Sequence, residues 1–291
     1  MKTLLSITLL FVSLNLCAQD EMDYSESRPS SVSYTLDVGK DEYKNHSFSG
    51  TWGIDSQWAI GLNLSSSNDI TNSKYTAGSL FVSSYWNDFF SNRFTLRTNK
   101  ETPEEIVGTG ADLDTKVQYP LFNEDLYSSL TLSVGRINYR QTVRTTNVLG
   151  SVRNEINFIQ SFVKFTIEQD LTDWLSVGFS STKYSYEDAS QVTFTGKNNR
   201  FSASTSLDST SDYPDQKNSL WLIGSWERIE VDVSGSITKS KLANNDSKTK
   251  SLFVTWIIND HWSTTVGIDS VTYDSTSSKS ETGSLGFAYS F

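Results

Sequence analysis

From Ser31 to the last residue, large apolar side chains fall on alternate positions, with small or polar ones between them. Trp58, Ile60, Leu62 and Leu64 interleave with Ala59, Gly61, Asn63 and Ser65. Leu130, Leu132 and Val134 interleave with Ser129, Thr131, Ser133 and Gly135. Leu175, Val177 and Phe179 repeat the pattern, as do Trp262, Val266 and Ile268. Period two predicts β-strands with one apolar face. The interleaved set is mostly small and uncharged, which suits a wet lumen better than a packed sandwich core. No stretch of the mature chain has a helical period. Pro29, Pro103, Pro120 and Pro214 fall in the leader, in loops or near strand ends, where a missing amide donor breaks no ladder bond.

The breaks between strands come in two kinds. Short ones lie at 55–57, 87–92, 123–125, 170–173, 227–228 and 259–261, often with Asn or Asp. Longer polar stretches lie between them, at 66–73, 100–110, 141–153, 209–217, 242–250 and 275–280. Counted back from the end, the predicted strands are 281–291, 262–274, 251–258, 229–241, 217–226, 199–208, 190–196 and 174–186. They continue as 154–169, 126–140, 110–122, 91–99, 74–86, 57–66, 45–54 and 31–39. That predicts sixteen strands, or fourteen if the tight turns in 187–228 cost one hairpin.

Tryptophan marks one class of turn. Trp58, Trp86, Trp174, Trp226 and Trp262 flank short turns, and Trp52 and Trp256 lie close to one; only Trp221 stands apart. An amphipathic indole belongs at lipid-headgroup level, so these seven predict an aromatic girdle at one rim. Tyr75, Tyr139, Tyr184, Tyr186 and Tyr273, nearer the long connections, predict a second girdle at the other.

The end of the chain, Glu281 to Phe291, is the clearest single strand. Leu285, Phe287, Tyr289 and Phe291 alternate with Ser284, Gly286, Ala288 and Ser290. With its aromatic last residue, it resembles the closing strand of Gram-negative outer-membrane β-barrels. The resemblance covers residues 1–18 and 31–291 as an architecture and names no subfamily. It implies an all-β, antiparallel up-and-down transmembrane barrel with both termini periplasmic. It also implies a setting of outer-membrane lipid and lipopolysaccharide, and recognition of the closing strand by the barrel-assembly machinery.

Composition fits an exported chain. Residues 1–18 carry Lys2, an apolar run from Leu4 to Leu16 and Cys17-Ala18, the outline of a secretory signal peptide cut after Ala18. Cys17 is the only cysteine, and Leu16 stands where lipoprotein processing wants a small residue. The mature chain would then have no thiol and no disulfide. Residues 19–30 are acidic and without period, a disordered periplasmic leader. The 291 residues are 36% hydrophobic and 13% aromatic, with a net charge of -10 and a mean hydropathy of -0.38. An acidic exported chain argues against a nucleic-acid partner. No stretch of 18 apolar residues follows the signal, so any membrane crossing is by strands.

Candidate chemistry is sparse. Two histidines, His46 and His261, and no mature cysteine make no metal cluster, and no cofactor motif is present. His46 heads H-S-F-S-G, but the serine that outer-membrane lipid hydrolases carry two residues on is here Phe48. No base–nucleophile pair can be drawn, so no enzyme activity is expected. Gly108-Thr109-Gly110 reads as a flexible outer loop that leads into no helix.

Charge in the lumen remains. If the apolar set faces lipid, then Arg93, Arg97, Asp114, Lys116, Lys164, Glu168, Glu230 and Asp232 face inward. Two readings stay open. Basic segments near 93, 116 and 164 could oppose the acidic one near 230 and set a transverse field across a constriction. Alternatively, the charges hydrate a wide lumen and pair across neighbouring strands, as Asp114 with Arg97. The expected function is passive diffusion of small hydrophilic solutes or ions. The rivals are a non-conducting structural or adhesive barrel with partner-binding loops, and an exported soluble β-sandwich. Oligomeric state is left open, since the loops look too modest for a folded-in constriction loop.

Overall fold

The computed structural model describes residues 29–39, 42–68, 74–102, 105–123, 126–147, 150–187, 214–241, 246–274 and 279–291. The expected signal peptide and nearly all of the expected leader lie outside them. Among the described residues there are fourteen strands. They are β1 (Ser31–Gly39), β2 (Lys44–Gly53), β3 (Trp58–Asn68), β4 (Lys74–Asn87), β5 (Phe90–Thr102), β6 (Ile106–Asn123) and β7 (Leu126–Asn147). Then come β8 (Gly150–Thr172), β9 (Leu175–Glu187), β10 (Pro214–Trp226), β11 (Ile229–Ser240), β12 (Ser247–Ile257), β13 (Trp262–Tyr273) and β14 (Lys279–Ser290). Each strand pairs antiparallel with its chain neighbour, and β1 pairs with β14, so the sheet closes. Closure gives every ladder amide a partner without water, which the bilayer interior demands.

The structure corrects the sixteen-strand count to its alternative of fourteen. The sequence places the extra hairpin at 190–196 and 199–208, within a connection, 188–213, that lies outside the described residues. β9 pairs directly with β10, from Lys183–Gln216 to Leu175–Gly224, so the wall is continuous without that hairpin. Two expected loops are also strand. β5 and β6 pair out to Glu101–Ile106, and β7 and β8 stay in register to Asn147–Gly150. The sequence carries no alternating apolar set at these strand ends, so the apolar period is silent there.

The alternation resolves into two faces. Leu80, Leu96, Leu132, Val163, Phe179, Leu220, Val266 and Phe287 point outward and are exposed, Leu80 by 63% and Val266 by 58%. Such area in water would cost about 25 cal/mol per Å²; against hydrocarbon it costs nothing, and an outward apolar band is what a transmembrane barrel presents. The opposite positions, among them Ser79, Thr95, Ser133, Ser180, Ser251 and Ser284, are buried on the inner face.

One rim is made of short turns headed by polar side chains. Asp55 Oδ1 accepts from the amides of Gln57 (2.8 Å) and Trp58 (2.7 Å), and Asn259 Oδ1 accepts from those of His261 and Trp262, both at 2.9 Å. Asn87 Oδ1 accepts from the Phe89 amide at 2.9 Å. Asp and Asn suit these places because they mimic a backbone turn. Ser30 and Phe291 exchange backbone bonds of 3.1 and 2.9 Å at the same rim.

The tryptophans ring this rim. Trp58, Trp86, Trp174, Trp226, Trp256 and Trp262 are exposed on the outer side, Trp52 shares their face, and Trp174 stacks on Trp226 at 5.6 Å. The second girdle is not where the sequence reading puts it. Tyr75, Tyr139, Tyr184 and Tyr273 are at most 3% exposed. They occupy inward positions of β4, β7, β9 and β13, and Tyr186 packs on the buried cluster of Ile106, Ile137, Tyr139 and Phe158. Closeness to the long connections fixes height along the axis, whereas strand parity fixes the face.

Candidate functional site

Inward positions of β3 to β12 enclose a cavity of about 600 Å³ at mid-height. Of the eight charged residues expected inside, Arg93, Arg97, Asp114, Lys164, Glu168 and Asp232 line it. Lys116 and Glu230 also sit at inward positions, outside its lining. Asp112 and Lys217, not singled out from the sequence, line it too. The cavity thus holds four basic and four acidic side chains.

Pairing is local, between adjacent strands or over one intervening strand. Arg97 forms an ion pair with Asp112, not with Asp114; register sets Arg97 opposite Gly110 and Arg93 opposite Asp114. Asp112 is almost fully buried, and a carboxylate there needs its cation to offset desolvation. Arg93 donates from Nε to Ser83 Oγ at 3.1 Å. Lys116 lies 3.8 Å from Glu168 across two strands, with both side chains about 40% exposed, a contact worth about 0–1 kcal/mol. Glu168 also accepts from Ser129 Oγ at 3.1 Å.

Aromatic rings share this space. Phe81, Phe162, Tyr184 and Trp221 line the cavity. Phe81 lies over Gly61, Phe162 over Gly135 and Trp221 over Gly178, so closely that a Cβ at any of the three glycines would overlap the ring. Glycine is needed there for approach, with no special φ. Gly108 and Gly110 are explained in the same way, which corrects their reading as a loop. Both lie within β6, and a Cβ would overlap Tyr139 and Asn99 at the first and the β7 backbone at the second.

Parity could have found the missed lining residues. Asp112 shares the parity of Asp114, and Leu220 and Leu222, flanking Trp221, are its outward neighbours. The large indole suggests lipid, but its position in the pleat decides. Lys217 sits near the start of β10, where the apolar set is too sparse to fix the face.

The remaining expected residues lie elsewhere. His46 is on the outer face, its Nδ1 2.7 Å from the Tyr34 hydroxyl. His261 Nδ1 is 2.9 Å from the Ser290 carbonyl oxygen at the short-turn rim. Leu285 and Phe287 face outward and exposed. Tyr289 lies between Trp262 (4.8 Å) and Phe291 (5.8 Å), so the closing strand joins the tryptophan ring.

No protein-family model matches the chain, and no curated protein does. Solved structures do. A monoaromatic hydrocarbon channel, CymD, aligns over 91% of this chain and 89% of its own at a TM-score of 0.57 and 8% identity. Omp33 of Acinetobacter baumannii aligns over 91% and 99% with a TM-score of 0.47 and 8% identity. The KdgM porin aligns over 90% and 99% with a TM-score of 0.45 and 9% identity. The first likeness carries the fold. With the closed sheet, the outward apolar band and the tryptophan ring, it makes this chain a fourteen-stranded β-barrel of the bacterial outer membrane.

Proposed function

We propose that the barrel is a passive channel for small hydrophilic solutes or ions. The carrying observation is the lumen itself, a cavity of about 600 Å³ lined by charged groups and hydroxyls. A barrel serving only as scaffold has no need of a hydrated interior, and small barrels fill theirs with side chains. CymD is described as a hydrocarbon channel; the eight charged side chains here favour hydrophilic solutes instead. The reading requires no cofactor and no energy input. Planar-bilayer recording of the refolded barrel tests it. Stable unitary currents are expected, and a heat-modifiable, folded barrel that never conducts would move the reading to a structural or adhesive role.

We also infer that the short-turn rim faces the periplasm. Lys44, Lys74, Lys100, Arg140, Lys248 and Lys250 occupy outward positions toward the long connections, while Asp55, Asp88, Asp173, Glu227 and Asp260 sit in the short turns. Outward cations there outnumber the outward acids Glu155, Glu187 and Glu281 and match the phosphates of lipopolysaccharide. A cysteine replacing Asp260 should react with an impermeant maleimide only after the outer membrane is breached; labelling of intact cells would reverse the orientation.

A further inference from the structure

We propose that Trp221 is the platform of a stacking subsite for a neutral saccharide ring, an inference that rests on the channel reading above. Trp221 faces inward on β10 between Ser219 and Ile223, both of which line the cavity with it. Gly178 stands opposite it on β9, and the indole packs on that glycine so closely that a Cβ there would overlap it. The ring is thus seated on the wall, half-buried, and lines the cavity with the surface left over.

The two other rings seated on glycines in this cavity are already occupied. The guanidinium of Arg93 lies 4.6 Å from the Phe81 ring centre, and that of Arg97 lies 5.6 Å from the Phe162 ring centre. Such contacts are favourable cation–π pairs. Among the described residues no cation covers Trp221 in this way. It is the ring left for a solute.

Its neighbours fix what that solute is. Ser180 pairs with Ser219 in register and Thr166 with Ser180, while Ser234 stands opposite Trp221 on β11; Ser236 and Ser251 complete the hydroxyl surround. A pyranose ring has a face of C–H groups and a rim of hydroxyls. The C–H face fits the indole, and the rim can exchange hydrogen bonds with hydroxyls that both donate and accept. A hydrocarbon could stack as well but would leave those hydroxyls unsatisfied. The charges lining the cavity balance, four basic against four acidic, so no net charge favours an ionised solute of one sign.

The test uses the full barrel with maltotriose as the neutral probe and benzoate as the aromatic one. Maltotriose should interrupt the unitary current, and Trp221→Ala should weaken that block by about tenfold or more, the size of one stacking contact. Trp221→Phe should restore part of it. Calorimetric titration of maltotriose into the detergent-solubilised barrel reads the same site without conduction. A barrel that binds maltotriose through Trp221 yet carries no current would overturn the channel reading and keep the subsite. A conducting barrel blind to maltotriose, or blocked equally in wild type and Trp221→Ala, would overturn the subsite. A Trp221-dependent response to benzoate alone would overturn the saccharide assignment.

Discussion

The arc β4–β11 and the arc β12–β14 with β1–β3 share one hydrogen-bonded wall and differ in what they turn inward. The first carries Arg93, Arg97, Glu101, Asp112, Asp114, Lys116, Lys164, Glu168, Asp170, Lys217, Glu230 and Asp232. The second presents chiefly Ser, Thr, Asn and Gly, with Asp37 and Asp269 as its inward charges, both buried. Its inner face is stitched by small groups: Ser33 to Ser49 at 2.6 Å, Thr255 to Thr265 at 2.8 Å, and the Asn45 amide donating to Asp37 Oδ2 at 2.8 Å. The ion pairs of the cavity wall lie within the first arc, and the side-chain bonds just named lie within the second. Each arc pairs its own polar groups. The charged arc does so with ion pairs between adjacent or next-but-one strands, and the hydroxyl arc does so with short side chains. Acids therefore sit among the bases of β5–β8, and lumenal charge is concentrated on one side.

The largest effect is expected where the hydroxyl arc closes. Deleting Phe291, or replacing it with Asp, should sharply lower the folded barrel recovered from the outer membrane, measured as the heat-modifiable band, because it removes the ring beside Tyr289 and the end of the closing strand. Normal levels would remove the assembly role proposed for Leu285, Phe287, Tyr289 and Phe291.

A second experiment asks whether the inner and outer faces differ on the hydroxyl arc as sharply as assigned. Val266→Arg puts a charge on the lipid face and should cost about 2–4 kcal/mol near the midplane, read by urea unfolding from liposomes. Thr265→Arg, one residue away on the inner face, should cost far less. Equal losses would mean the faces are misassigned.

How legible all this was follows from the same two arcs. Period two survives wherever lipid selects apolar residues, so Leu130–Val134 and Leu285–Phe291 placed their strands and faces correctly. It fails toward the long connections, where β7 and β8 stay paired out to Asn147–Gly150 although the sequence there carries no alternating apolar set. It fails again in 188–213, where alternation suggested wall that the β9–β10 ladder does not need. Inward residues were legible by parity, down to Arg97 and Glu168. Their partners were not, because the choice of Asp112 over Asp114 depends on inter-strand stagger, which one strand's sequence does not carry. Trp221 was hidden by its size: an indole suggests lipid until Gly178 on the neighbouring strand explains where it fits.

The smallest effect sharpens the view of the charged arc as locally neutralised. Lys116→Gln breaks a half-exposed pair with Glu168 and should change unfolding stability by no more than about 1 kcal/mol. A larger loss would mean that pair bears more of the wall than its exposure allows.

The most direct measurement is a single-channel recording under a salt gradient, on wild type and on Arg93→Glu combined with Arg97→Glu. A hydrated lumen with its charge on one arc predicts steady ionic current in both, with the reversal potential of the double variant displaced toward cation preference. Absence of current from the folded barrel, or the same reversal potential in both proteins, would contradict it.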